Sequence, residues 1–298
     1  MTLPRWPLIN NLLVLIALSV LLAACSRVGL AYRNLDWLIP WRLDDYLSLN
    51  REQQAWFKPR LQTHLKWHCS SELPRYIDWL QRSEALLEQA SPSASQLSEQ
   101  FAELDGALKR ISREITPTAI ELLQGLNPRQ VAELYAAMDE DNREDRQNFL
   151  EPPLATQISQ RAKRMQKRLR PWLGRLNEAQ QARIQEWAHT VREQNRLWLD
   201  NRLRWQMAFR AALDARRSTD FPARLTRLLQ ERESLQDARY RAAYPRSRQA
   251  LAELLSDLLK NADSNQRERL ITRLRDLRRD LAPLACATAP RVAAVASR

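Results

Sequence analysis

The chain is short of the residues on which many functional sites depend. Of its 298 residues only four are Gly, three are Cys and three are His. Neither G-x-G-x-x-G nor G-x-x-x-x-G-K-[ST] occurs, which excludes the loops whose backbone N–H groups cradle dinucleotides and phosphates. Three Cys cannot build a disulfide scaffold or a Cys-rich zinc module. Three His give little material for a nucleophile–base pair, and no Ser/His/Asp or Cys/His set stands out. Sustained period-two alternation with β-branched residues is also missing, so no sheet is expected. What remains is rich in Arg, Leu, Ala, Glu and Gln, a helix-forming composition. The expectation is an all-α protein with no enzymatic activity and no cofactor.

The apolar run lies at the start. Arg5 supplies a positive charge, Leu12 to Leu22 an apolar stretch, and small residues follow, the pattern of a secretory signal peptide over residues 1–24. The stretch falls short of the roughly 20 residues needed to span a bilayer. Its end, Leu22-Ala23-Ala24-Cys25, resembles the lipobox of bacterial lipoproteins. That resemblance implies a diacylglyceryl group on the Cys25 thiol and a further acyl chain, such as palmitate, on its amino group. Each buried methylene contributes about 0.8 kcal/mol, so three chains would hold the protein on a membrane. The alternative is a secreted chain in which Cys25 falls there by chance. Ser26, where inner-membrane lipoproteins carry Asp, resembles the sorting signal for the outer membrane, implying a periplasm-facing anchor. Only Ser26 to Leu30 separate Cys25 from the aromatic pattern Tyr32, Leu35, Trp37, Leu38, Trp41, which sets the folded domain close to the bilayer. Trp37 and Trp41, at i and i+4, suit either a lipid interface or a core, and a core is expected.

One motif recurs four times, as Leu49-Asn50-x-x-Gln53, Leu126-Asn127-x-x-Gln130, Leu176-Asn177-x-x-Gln180 and, more weakly, Ala262-Asp263-x-x-Gln266. Its physics is a helix start. Asn or Asp accepts from free backbone N–H groups, and Gln three residues on reaches back to complete a capping box. These starts and the apolar spacing predict an elongated multi-helix bundle, with helices near 33–48, 51–69, 73–90, 94–115, 118–125, 128–150, 154–173, 178–216, 222–260 (broken near Pro245) and 264–281. The helix 178–216 would be the longest, with Ile184, Val191, Trp198 and Trp205 as a packing seam. Residues 25–282 form one helical domain in this reading, and 283–298, Ala-rich and without periodicity, a disordered tail.

Charge is segregated along the chain. Residues 25–160 carry a net −5 and residues 161–217 a net +10. The densest cluster is Arg161, Lys163, Arg164, Lys167, Arg168 and Arg170, with an acidic counterpart in Asp139, Glu140, Asp141, Glu144 and Asp145. Two readings stand side by side. The clusters neutralise each other on solvated helix faces, or the basic one binds an anionic envelope or protein partner. Nucleic acid is not expected, because a lipoprotein signal leads away from it.

His64, His68 and Glu72 share a helical stripe of the kind zinc accepts, but there is no H-E-x-x-H, and polar packing is expected instead of a metal. Asp44 and Asp45 diverge on a helix and suit capping or an Arg pair. An oxidising periplasm permits a Cys69–Cys286 bond, while a disordered tail disfavours it.

Two resemblances follow from these residues. The run Leu35-Asp36-Trp37-Leu38-Ile39-Pro40-Trp41-Arg42-Leu43-Asp44-Asp45-Tyr46, then Leu49-Asn50-x-x-Gln53, then Trp67-His68-x-x-x-Glu72-Leu73-Pro74-x-Tyr76, is similar to an uncharacterised lipoprotein family of Gram-negative bacteria. It implies an envelope location and a helical fold, and no catalytic residue. The Leu-Asn-x-x-Gln repeats resemble the Leu-Thr-x-x-Gln motif of small periplasmic stress chaperones, which are helical, basic, cradle-shaped dimers. The expected function is therefore a non-enzymatic binding or chaperone-like lipoprotein of the envelope. The alternatives are a scaffold recognised through Trp37 to Tyr46, and a metal-dependent enzyme using His64, His68 and Glu72.

Overall fold

The computed structural model describes residues 27–89 and 91–286, and every regular element among them is helical. The signal-peptide reading (1–24), Cys25 and the tail beyond 286 fall outside the described residues. Helices α1 (Arg27–Arg33) and α2 (Leu35–Asp44) lead into α3 (Arg51–Trp67), which continues through a π-turn (His68–Glu72) into α4 (Leu73–Gln89). Next come α5 (Ala94–Gln124), α6 (Pro128–Phe149) and α7 (Leu154–Leu173). Then follow α8 (Glu178–Thr190), α9 (Gln194–Asp214), α10 (Phe221–Gln230), α11 (Ala238–Lys260) and α12 (Ser264–Leu281).

All four expected starts carry complete capping boxes: Asn50 with Gln53, Asn127 with Gln130, Asn177 with Gln180, Asp263 with Gln266. A fifth, Ser93 with Gln96, opens α5 and was not among the expected starts. The four boxes do more than start helices, because they meet in pairs. The amides of Gln53 and Gln130 each donate to the other's Oε1, at 3.1 and 2.6 Å. Gln180 and Gln266 do the same at 2.9 and 3.1 Å. Each Nε2 has a second acceptor on the chain near its partner: Gly125 O, Ser48 O, Leu258 O and Arg175 O in turn. Each Oε1 also accepts the backbone N–H of its own cap residue. Every polar atom of these four amides, three of them buried, is thereby satisfied, which a Glu in the same place, lacking donors, would not achieve.

Three apolar cores result. One gathers Leu49, Leu126, Val131, Phe209, Phe221 and Leu225 around the first Gln pair. A second holds Ile158, Ile184, Trp187, Val191, Leu254 and Leu258 around the second pair. The third sets Leu73 and Leu80 of α4 against Leu274 and Leu281 of α12, with Tyr32 of α1 packed on it. Helix α5, 31 residues and about 46 Å long, touches α3, α4, α10 and α11 and is the common wall.

Several expected boundaries are corrected. The helix expected over 178–216 is two helices broken at Val191–Glu193, so the longest described helix is α5. Its supposed seam divides: Ile184 and Val191 lie in the second core, Trp205 packs on the first, and Trp198 is exposed. Pro117 and Pro245 sit inside continuous helices. The break in 222–260 falls instead at 231–237, where the Asp237 carboxylate accepts from Tyr240 N at 2.7 Å. The first residues of the expected tail, to Cys286, are among the described ones. A 3-10 turn spans Ala282–Leu284, and Cys286 is disulfide-bonded to Cys69 across 217 residues of sequence.

Candidate functional site

The basic cluster occupies α7, and the helix divides it. Lys163, Lys167, Arg168 and Arg170 are exposed, Arg164 is half-buried, and Arg161 is buried. Lys163, Lys167 and Arg170, at i, i+4 and i+7, form one stripe, with Arg164 and Arg168 beside it. Arg164 lies over the Phe149 ring at 4.9 Å, and burial, with Arg168 nearby, holds its guanidinium below the usual range. None of these five forms an ion pair with a carboxylate among the described residues. Like charges at i,i+4 weaken a helix by about 0.2–0.5 kcal/mol per pair, so α7 carries this stripe against its own stability.

Arg161 is removed from that surface. Its guanidinium donates to Ala188 O at 3.1 Å, Arg192 O at 3.4 Å and Asn195 Oδ1 at 2.9 Å. These acceptors surround the C-terminus of α8, where a cation complements the free carbonyls and the helix dipole. Burial, and secondarily Arg164, holds Arg161 below the usual arginine range. Asn195 in turn donates to Phe149 O at 2.9 Å and Gln157 Oε1 at 3.3 Å, and Gln157 donates to Leu150 O and Pro152 O. The break between α8 and α9 is thus built by one buried cation and two amides. Arg161 therefore serves packing, contrary to its expected place in the binding surface.

The three aspartates of the acidic cluster of α6 are neutralised from another helix, while Glu140 pairs with Arg143 of its own helix. Arg202 on α9 pairs with Asp145 and Asp141, and Arg210 pairs with Asp139. Tyr46 donates to Asp141 Oδ2 at 2.7 Å, and this bond raises the tyrosine's pKa. Charge complementarity inside the fold holds for α9 with α6. It does not extend to the exposed stripe of α7.

The other candidates separate as well. His64 contacts Glu114 Oε1 at 3.0 Å and Thr118 Oγ1 at 2.8 Å. His68 meets Tyr32 Oη at 3.0 Å and Tyr76 Oη at 3.4 Å, and burial lowers its pKa. Glu72, 1% exposed, takes two bonds from Arg110 at 2.7 and 2.8 Å. The π-turn beginning at His68 shifts the helical register, so the expected His64–His68–Glu72 stripe is directed at three different sets of partners. Among the described residues no group of three or more His, Cys, Asp or Glu is disposed to hold a metal ion. Asp45 pairs with Arg42 at 2.7 Å, and the next helix is capped by Asn50 with Gln53 and not by Asp44 or Asp45.

Trp37 and Trp41, expected in a core, are 61% and 50% exposed and stack on each other with ring centres 5.9 Å apart. The reason is that α2 buries none of its residues. Among the described residues no helix is long and apolar enough to cross a membrane.

No curated protein and no solved structure matches this chain. Residues 45–241, two thirds of its length and all of α3 to α10, match a family of unknown function, and the chain belongs to that family, DUF6279.

Proposed function

We propose that the protein is a lipid-anchored envelope protein, held through Cys25 on the periplasmic face of the outer membrane. It binds an anionic partner with the exposed stripe of α7 and carries out no catalysis. The observation that carries this reading is the contrast between two charged surfaces. Three acidic residues of α6, Asp139, Asp141 and Asp145, are matched by Arg202 and Arg210, whereas Lys163, Lys167, Arg168 and Arg170 are left with no carboxylate. A helix that tolerates this repulsion retains charge for something outside the fold. Arg predominance (41 of 47 cations) suits bidentate contacts to carboxylate or phosphate. A non-catalytic role is supported by the engagement of the ionisable groups that a site would use. His64 and His68 are held by fixed neighbours, and Glu72 is neutralised by Arg110. The anchor is supported by the lipobox-like run that ends at Cys25.

The test is charge reversal of Lys163, Lys167 and Arg168 together, leaving Arg161 and Arg164 in place because they support the fold. Crosslinking in intact cells is expected to capture partners with the native protein and to lose them with the triple variant at equal abundance. Unchanged capture overturns the reading. Incorporation of labelled palmitate, lost on Cys25→Ala, tests the anchor separately.

A further inference from the structure

The geometry points to a second contact with the bilayer, made by α1 and α2 lying on the membrane surface with Leu30, Trp37 and Trp41 in its interfacial layer. This rests on the lipid-anchor reading above and adds to it an orientation for the whole molecule.

The first observation is exposure in the wrong place for a soluble surface. Val28 is 46% and Leu30 62% exposed, and with Trp37 and Trp41 they put four large apolar side chains in water within residues 28–41. Single exposed apolar residues need no explanation, but a helix with no buried residue and two open tryptophans does. The tryptophans stack nearly parallel, 7° apart, and present one amphipathic surface. Tryptophan concentrates at the boundary between headgroups and acyl chains, where its ring is apolar and its N–H remains hydrated.

The second observation is chain length. Cys25 precedes Arg27 by two residues, which at full extension is about 7 Å. An acylated Cys25 therefore begins α1 at the bilayer surface, with no tether to lift it away. The occupant of this apolar surface is then the lipid interface and not a distant protein.

The third is rigidity. Helix α1 is tied to the bundle through Tyr32, which packs on the third core and contacts His68. The next residue, Cys69, is disulfide-bonded to Cys286, whose backbone N–H donates to Cys69 O at 3.1 Å. The end of the bundle that faces the membrane is thus clamped where the anchor enters. The bundle is held in one orientation instead of swinging on its lipid.

The experiment uses the acylated protein purified from membranes and reconstituted into phosphatidylethanolamine–phosphatidylglycerol vesicles containing brominated lipid. Bromine quenches tryptophans at membrane depth, and most of this quenching is expected to vanish in a W37S/W41S variant of unchanged circular dichroism. In a second arm, unacylated Cys25→Ser protein is floated with the same vesicles. The native segment is expected to partition onto them, and W37S/W41S to weaken this by about tenfold. Equal quenching in both acylated proteins overturns the proposal. So does a W37S/W41S change that dissociates a dimer in solution while leaving vesicle binding unaltered. Failure of the anchor itself would show separately, as an N-terminal peptide without acyl mass, and the flotation arm would still decide the docking.

Discussion

A single arginine shows how local charge and local structure part company. Arg161 and Arg168 stand in one run of six cations, yet the first is 6% exposed and holds three acceptors while the second faces solvent. Arg161→Met is expected to destabilise the protein by about 3 kcal/mol, because it strands Ala188 O, Arg192 O and Asn195 at the end of α8. Arg168→Met should change stability by no more than about 0.5 kcal/mol, as a solvent-facing substitution does. Urea unfolding of the two variants checks this, and equal effects would contradict the role given to Arg161. The sequence showed both as cations in a basic run. What separates them is the position of α8, which no spacing within 161–170 encodes. Trp37 and Trp41 show the same limit in reverse. Their i,i+4 spacing fits a core or an interface equally, and only which side of α2 meets α3 and the first core decides.

At the scale of elements, starts were legible and endings were not. Asn50, Asn127, Asn177 and Asp263 act on backbone N–H groups within three residues, so the signal and the structure share one stretch of sequence. The break at Val191–Glu193 depends on Arg161, thirty residues earlier, and looked like helix because its own residues permit helix. Pro117 and Pro245 carried the opposite error, since a proline opposes continuation and packing overrides it here. The pairing of the capping boxes is also tertiary. Gln53 meets Gln130 and Gln180 meets Gln266 at separations of 77 and 86 residues. Replacing Gln180 by Glu leaves the cap intact but removes both donors and places a charge in the second core. The expected loss is about 3 kcal/mol. The same change at half-buried Gln53 should cost about half as much. Thermal unfolding measures both, and a Gln180→Glu variant as stable as the native protein would show that the pairing contributes nothing.

For the whole molecule, the family match and the physical unit do not coincide. The match ends at residue 241, the fourth residue of α11, while Leu254 and Leu258 of α11 and Leu274 and Leu281 of α12 complete the second and third cores beyond it. The disulfide closes a loop across 217 residues of sequence. Loop-closure entropy for so long a loop approaches about 5 kcal/mol, at the upper end for such bonds. That bond joins the π-turn after α3 to the end of the bundle and fixes the side from which α1 emerges. The fold class and the likeness to a family of unknown function were both accessible from the sequence. The division of its charges into a matched pair, α6 with α9, and an unmatched stripe on α7 was not, because it depends on which helices are neighbours.

The most direct measurement is site-specific photocrosslinking in living cells, with the reactive residue placed at Lys167 and, as a control, at exposed Glu99 on α5. An adduct is expected from position 167 that is absent from position 99 and is lost when Lys163 and Arg168 are reversed to Glu. An unmodified protein at position 167, or the same adducts from both positions, would contradict a binding face on α7.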